Sequence, residues 1–542
     1  MAYVVAAVSA FLVFSAATAL RPGRRGAFAA LAFPVGWAAG ELPVQALVVE
    51  AALVGLLHWW GWPRTVWLGD LVAVLVALAA AENLVLVGIV LGARRVVRRS
   101  LGHSPRRPLD VPGPRDDVFG SWWRTALQFS FHPHSMQLVR NVEYGPEARH
   151  RLDVWRTSTT PRNAPVIFYI HGGAWTFGDK REQGRPMLHE FVARGWVVVT
   201  CNYRLAPRHP WPAQIQDVVR TLAWIKRNVA DYGGDPDRIV VSGLSAGGHL
   251  AALVALAPDD SEWCPDDLAD VTDWSVRGCI PFSGVLEMTG DETHWHGLGR
   301  GLLHLLERRV VQQPYEGHEA LYRALSPYHR VREDAPPFLV IQGVNDTLVD
   351  VNVARNFVAR FREVALAPIY YVELPFAQHS FDVTASPRTS ATTRAAVAFA
   401  AAVTEPRPPL TLERVASYRV PPTELLVSID STWVDARKVA VDEGPFYVVT
   451  SDNPFSTALD GDANASRRAD LTELLARRGV VTRVSRARDP SGHWPDELGV
   501  ALGDVALGFA RHLAYVYDQF AFYEVTADAV RVRDAHDGRV LA

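Results

Sequence analysis

Apolar positions dominate the first ninety residues and then give way to a regular alternation of short apolar runs with amphipathic stretches. Residues 1–92 hold few charges: Arg21, Arg24, Arg25 and Arg64 against Glu41, Glu50, Asp70 and Glu82. The run Tyr3 to Leu20 has about the ~20 residues that a helix needs to cross a bilayer core. A second stretch, 26–62, is interrupted by Pro34, Gly36, Gly40 and Pro43. It is too short for two crossings and a turn. The pattern predicts one span near 42–60, preceded by an interfacial or re-entrant piece. A third run, Thr65 to Gly92, predicts a further span. Trp59, Trp60, Trp62 and Trp67 fall between the second and third runs, where aromatic side chains sit at headgroup level. Glu50, His58 and Glu82 lie inside the predicted spans and call for a helix partner or a wet cavity. No Lys or Arg precedes the first run, as a signal peptide would require, so an anchor is expected.

Residues 101–138 form a Pro/Arg/Gly linker in which Trp122 and Trp123 suit a membrane surface. From 139 to 404, continuous apolar runs read as buried strands: Val166 to Ile170, Trp196 to Val199, Ile239 to Val241, Gly278 to Phe282, Phe338 to Ile341 and Ile369 to Val372. Helical patterns such as Ala213 to Val229 and Asn352 to Arg362 lie between them. Strand–helix repetition predicts an α/β domain with a mainly parallel, doubly wound sheet covered on both faces. The break Glu405-Pro406-Arg407-Pro408-Pro409 then separates a small α+β unit over 410–542.

Composition narrows the picture. With 49% hydrophobic and 21% charged residues, the chain of 542 has ample apolar surface for cores and is not a disordered one. A net charge of -3 shows no nucleic-acid footprint. Cys201, Cys264 and Cys279 have neither disulfide-framework nor metal-ligand spacing. Arginines set the orientation: Arg21, Arg24 and Arg25 follow the first span, and Arg94, Arg95, Arg98, Arg99, Arg106 and Arg107 follow the third. The loop between spans two and three has Arg64 alone. A multi-pass protein of the cell membrane with its bulk in the cytoplasm is therefore expected.

Chemistry concentrates in four segments. Gly243-Leu244-Ser245-Ala246-Gly247 follows the strand RIVVS and opens a helix, the context in which such a turn lifts a serine hydroxyl clear of a sheet end. His171-Gly172-Gly173-Ala174-Trp175 follows the strand VIFYI. Its glycines leave backbone N–H groups of Gly172 and Gly173, aided by that of Ala246, free to face a forming oxyanion. His171 is expected to shape this loop and not to act as a base. Asp346 follows the strand PPFLVIQ and His379 follows IYYVELP, both at C-terminal strand ends where open sheets gather ligand loops. The bland alternatives are a helix cap for Asp346 and a surface histidine at 379, with Asp350 a rival acid. The chain order Ser245, Asp346, His379 suits a nucleophile, an orienting acid and a base.

These segments resemble the α/β-hydrolase fold, in particular the hormone-sensitive-lipase-like esterases. The likeness extends to Asn202-Tyr203-Arg204-Leu205-Ala206-Pro207, Trp211-Pro212-Ala213 and Tyr232-Gly233-Gly234-Asp235-Pro236-Asp237-Arg238-Ile239, about half the chain. It implies a serine hydrolase cleaving carboxylic esters, short, medium or lipid-derived, with no metal or organic cofactor. The loop reads HGGAW where many relatives have a third glycine, a form similar to carboxylesterases, isoprenylcysteine methylesterases and formamidases. An arylformamidase-like amidase is thus the alternative of like chemistry, and a non-catalytic membrane scaffold the alternative of another class. Trp175, Trp211, Trp295 and Phe376 are candidates for the substrate pocket or for core packing. Residues 285–330 suit a cap over the site. His294, His296 and His304 lack the carboxylates or cysteines a metal would add. The final unit resembles a small bacterial domain family of unknown function through Tyr447 to Pro454, Arg488 to Trp494 and Gln519 to Tyr523. Its polar set Asn453, Asn464, Asp489 and His493 reads as ligand contacts or as turn chemistry.

Overall fold

Four apolar helices open the chain: α1 (Ala2–Leu20), α2 (Ala27–Glu41), α3 (Pro43–Trp60) and α4 (Val66–Gly102). They come from a computed structural model that describes residues 2–22, 27–60, 66–102, 108–111, 136–258, 262–268, 273–296, 299–408, 424–489 and 496–541. Trp122, Trp123 and His493, singled out above, lie outside the described residues. Among those described, α1 and α4 are long and apolar enough to cross a membrane. A third crossing is added if Phe33–Glu41 and Pro43–Trp59, bent by 84° at their break, form one span.

Packing orders these helices. Val5 meets Leu57, Leu68 and Val72 at one end of the group, while Ala16 and Ala19 meet Ala39 and Leu86 at the other. Hence α1 and α4 run in the same direction and α3 runs back between their ends. α2 stays at the end where α1 stops. Alanine side chains at this second junction let the backbones approach closely. α4 runs to Gly102, ten residues past the apolar run, because Ala93, Val97 and Leu101 continue an i, i+4, i+8 stripe that is buried against the next domain.

That domain is an eight-stranded sheet: β1 (Met136–Glu143), β2 (Arg151–Thr157), β3 (Ala164–Ile170), β4 (Val197–Cys201), β5 (Gly234–Leu244), β6 (Gly278–Phe282), β7 (Phe338–Gly343) and β8 (Ile369–Leu374). The strand order is β1-β2-β4-β3-β5-β6-β7-β8. From β4 to β8 every pairing is parallel, as the continuous apolar runs predicted. β1 and β2 add an antiparallel edge that those runs did not announce. Its strands are half polar, since β1 lies at the open edge.

Helices cover both faces. α5 (Arg185–Ala193) lies on one. α6 (Ala213–Asn228) and α7 (Ala246–Leu256) lie on the other. The expected cap region contains α8 (Gly299–Leu305) and α9 (Glu319–Leu325); α10 (Val351–Val364) and α11 (Pro387–Thr404) complete the layers. Alternate residues of β3 divide the core: Val166, Phe168 and Ile170 face α6, α7 and α10, while Ile167 and Tyr169 face α5, α11 and the end of α4.

The last unit is a seven-stranded antiparallel sheet with α12 (Ala436–Glu443), α13 (Gly461–Arg477) and α14 (Leu507–Val516). It docks on the preceding α/β domain through Arg478, which donates to Val364 O at 2.5 Å, while Arg407 of the connecting segment stacks 3.4 Å from the Tyr515 ring centroid. Asn464 Nδ2–H donates to Asn453 Oδ1 at 2.9 Å and Asn453 N–H donates to Asn464 Oδ1 at 3.0 Å. Two members of the polar set therefore satisfy each other around a tight turn.

Candidate active site

The turn from β5 into α7 holds Ser245 at φ 56° and ψ −120°, a backbone region that side-chain-bearing residues rarely occupy. The neighbouring glycines make this possible. A Cβ on Gly243 would lie 2.5 Å from the Gly247 backbone, and one on Gly247 would lie 2.1 Å from Ile170 O. Ser245 N–H donates to Phe282 O at 2.9 Å, and the side chain stays half-buried at the sheet end.

The 171–175 loop lies against this serine. A Cβ on Gly172 would be 3.3 Å from Ser245 Cβ and 2.7 Å from Leu244 O, so only glycine fits. Gly172 N–H, however, donates to Gln183 Oε1 at 2.7 Å and is thereby withdrawn from the expected oxyanion set. Among the described residues, the N–H groups of Gly173, Ala174 and Ala246 have no protein acceptor. Ala174 is an open donor that the sequence reading missed. Its φ of 49° is the signal of a special turn, invisible in the letters. His171 shapes the loop as expected: Nδ1–H donates to Gly172 O at 2.7 Å and the ring stacks on Tyr203 at 4.3 Å. Burial pulls its pKa down to about 4.

The loops that follow β7 and β8 meet at the same end of the sheet. His379 Nδ1–H donates to Asp346 Oδ2 at 2.7 Å, with both side chains almost wholly enclosed. Asp346 Oδ1 accepts the N–H groups of Leu348 at 2.9 Å and Val349 at 2.8 Å, and Gln342 Nε2–H reaches Oδ2 at 3.0 Å. Gln378 Oε1 accepts from His379 N–H and Thr347 N–H, both at 2.8 Å, so one amide ties the two loops together. Asp350, the rival acid, caps α10 by accepting Asn352 N–H at 2.9 Å. No hydrogen bond joins His379 to Ser245 in this structure; such contacts often tighten only around substrate.

Trp175 and Trp295 are enclosed in the core, their indole N–H groups donating to His249 Nδ1 at 3.2 Å and Glu287 Oε2 at 2.9 Å. Trp211 packs half-buried against the same core, 5.9 Å from the His249 ring. Phe376 borders a cleft of about 260 Å³ against α4. His294 packs on Tyr328 and His296 Nδ1 accepts from Asn352 at 2.6 Å, while His304 is exposed. Sequence reasoning also missed Phe33 of α2, whose ring stands edge-on to His379 at 5.9 Å. Nothing in a uniformly apolar run marks it.

Residues 152–361 match the BD-FAE family and residues 449–522 match a protein family of unknown function, DUF3293. Over 266 residues the chain is 43% identical to the "Probable carboxylic ester hydrolase LipM" of Mycobacterium tuberculosis, covering 48% of this chain and 61% of that protein. "Esterase LipQ" of the same organism is 40% identical over 251 residues, 46% of this chain and 58% of that protein. The chain thus covers less than two thirds of either relative. Esterase B of Lactobacillus rhamnosis superposes with a TM-score of 0.44 at 24% identity, covering 53% of this chain and 94% of that one. The segment that matches the BD-FAE family thus lies between the apolar N-terminal helices and the segment that matches DUF3293.

Proposed function

We propose that this protein is a membrane-anchored serine hydrolase that cleaves carboxylic esters through an acyl-enzyme on Ser245. The observation that carries the reading is the buried His379–Asp346 pair at 2.7 Å, which follows β7 and β8 at the same carboxyl end of the parallel sheet where β5 delivers a serine in a strained turn. The names of the relatives LipM and LipQ support ester chemistry.

In the proposed cycle His379 Nε2 takes the Ser245 proton as Oγ bonds to the ester carbon, and Asp346 holds the imidazole tautomer and stabilises its charge. The oxyanion rests on N–H groups of Ala246 and of the Gly173–Ala174 turn; one such donor is worth about 10²–10³ in turnover. The carbon–oxygen bond to the alcohol breaks as His379 returns its proton to the leaving oxygen. Water then gives a proton to His379, attacks the acyl carbon and releases the acid with Ser245 restored. For anchoring, the reading takes α1, α3 and α4 as three spans, with the Arg-rich ends and the hydrolase domain on the cytoplasmic side.

A nitrophenyl-ester chain-length series on purified full-length protein tests the chemistry, with Ser245→Ala as control. Loss of hydrolysis in that variant is expected, and equal rates for the two proteins would refute the reading. A reporter fused after Arg107 tests the topology, where a signal from a periplasm-active reporter alone would reverse it.

A further inference from the structure

We propose that α2 is the membrane-side wall of the catalytic site and that Phe33 selects membrane-resident lipid esters over soluble ones. This inference rests on the esterase reading of Ser245.

Three residues spaced i, i+4, i+8 along one face of α2 dock on the chain segment that carries the base. Phe33 stands 5.9 Å from the His379 ring at an interplanar angle of 66°. Trp37 Nε1–H donates to Ser380 O at 3.0 Å. Glu41 accepts from Ser386 Oγ at 2.6 Å and pairs with the buried guanidinium of Arg388. The acid loop is held in the same way: Asn345, next to Asp346, donates from Nδ2 to the α1 carbonyls of Ala19 at 2.7 Å and Leu20 at 3.3 Å. Both halves of the relay are thus fastened to the apolar helices.

The level of α2 gives this contact its meaning. Ala39 packs with Ala16, Ala19 and Leu86 at the end of the helical group where α1 stops, and α3 leaves at 84° towards the other end. If α1, α3 and α4 span, α2 lies along the bilayer surface with His379 directly beneath it. A cleft of about 260 Å³ lies between α4 and the loop leading to His379, lined by Ile89, Ala93, Val96 and Phe376 together with Arg95 and Arg99. Apolar walls with guanidinium groups at headgroup level suit an amphiphile whose tail stays in the bilayer. An ester dissolved in water has no use for such a wall. A purely structural Phe33 would affect all substrates alike.

The test uses full-length protein in phosphatidylcholine–phosphatidylglycerol vesicles, with 4-nitrophenyl acetate as soluble ester and 4-methylumbelliferyl oleate in the bilayer. Phe33→Ala is expected to lower the ratio of kcat/KM for the oleate to that for the acetate at least tenfold. Should that variant not fold, judged by its thermal unfolding, Phe33→Leu is expected to lower the ratio several-fold. An unchanged ratio in a folded variant, including an equal loss on both substrates, overturns the proposal and leaves the esterase reading standing. Undiminished acetate hydrolysis by Ser245→Ala would instead remove the esterase reading itself.

Discussion

Replacing Asp346 by asparagine changes one oxygen into an NH₂ group inside a pocket made only of donors. Oδ2 accepts His379 Nδ1–H and Gln342 Nε2–H, and Oδ1 accepts two backbone N–H groups, of Leu348 and Val349. The amide has two ways to sit. With NH₂ on the Leu348 side, the buried N–H of Val349 loses its acceptor at roughly 1–3 kcal/mol and the part-buried N–H of Leu348 loses its own at less. With NH₂ on the His379 side, Gln342 keeps Val349 O as an acceptor at 3.2 Å, and the imidazole accommodates by accepting at Nδ1. The second arrangement is favoured and costs about 1 kcal/mol or less in stability. It is ruinous for catalysis, since a proton then occupies Nε2, where the base lone pair must be. A loss on the order of 10⁴ in kcat is expected, equivalent to roughly 5 kcal/mol. Steady-state hydrolysis of a nitrophenyl ester measures it, with guanidinium unfolding as the check on folding. A folded Asp346→Asn protein within tenfold of the parent rate would refute the orienting role of Asp346.

Acid sensitivity is a second expectation. Burial pulls His171 and His249 down to about 4, against ~6.5 in an unfolded chain. Because the folded values are the lower ones, the stability present above pH ~6.5 is lost as pH falls towards ~4, by roughly 3 kcal/mol per histidine. His249→Gln offers a neutral replacement that can accept from Trp175 and donate to Leu325 O. It is expected to flatten the loss between pH 7 and about 5 in denaturant titrations, and an unchanged slope would count against it. A third expectation concerns Asp217, whose buried carboxylate accepts from His150 Nε2 at 2.9 Å and from Arg204 N and Nη2, both at 2.7 Å. Burial pushes this carboxyl up, but the hydrogen bonds from His150 and Arg204 outweigh it and hold the pKa low. Asp217→Ala is expected to lower unfolding stability by about 3–5 kcal/mol, and a change below 1 kcal/mol would show the network to be dispensable.

The elements most legible in advance were those with local requirements. The Gly243–Gly247 turn and the loop at 171–175 need glycine because a Cβ would strike backbone within the same few residues or the adjoining strand end. Strands β3 to β7 announced themselves because burial on both faces demands unbroken apolar runs, and β8, an edge strand of alternating burial, through its run Ile369 to Val372. β1 did not, since an edge needs only one apolar face, and β2 did not because its apolar run is broken by Asp153, buried in ion pairs with Lys180 and Arg181. The break before α3 was readable in Pro43 and the glycines upstream of it.

What the letters left open was every contact that depends on distance in space. Gly172 N–H meets Gln183 because the chain after the loop folds back over it. Trp175 and Trp295 turn inward because core contacts and acceptors exist there, a choice that aromatic character alone does not make. Trp37 and Ser380 are 343 positions apart, and no periodicity in an all-apolar helix says which of its faces will meet a histidine loop. Composition and spacing thus determined the units, their strand–helix rhythm and the residue types able to do chemistry, because these follow from near-neighbour sterics and burial. Only the tertiary structure decided which donors remain open to a ligand and that an apolar helix packs on the loop of His379, because long-range packing assigns partners that sequence separation does not encode.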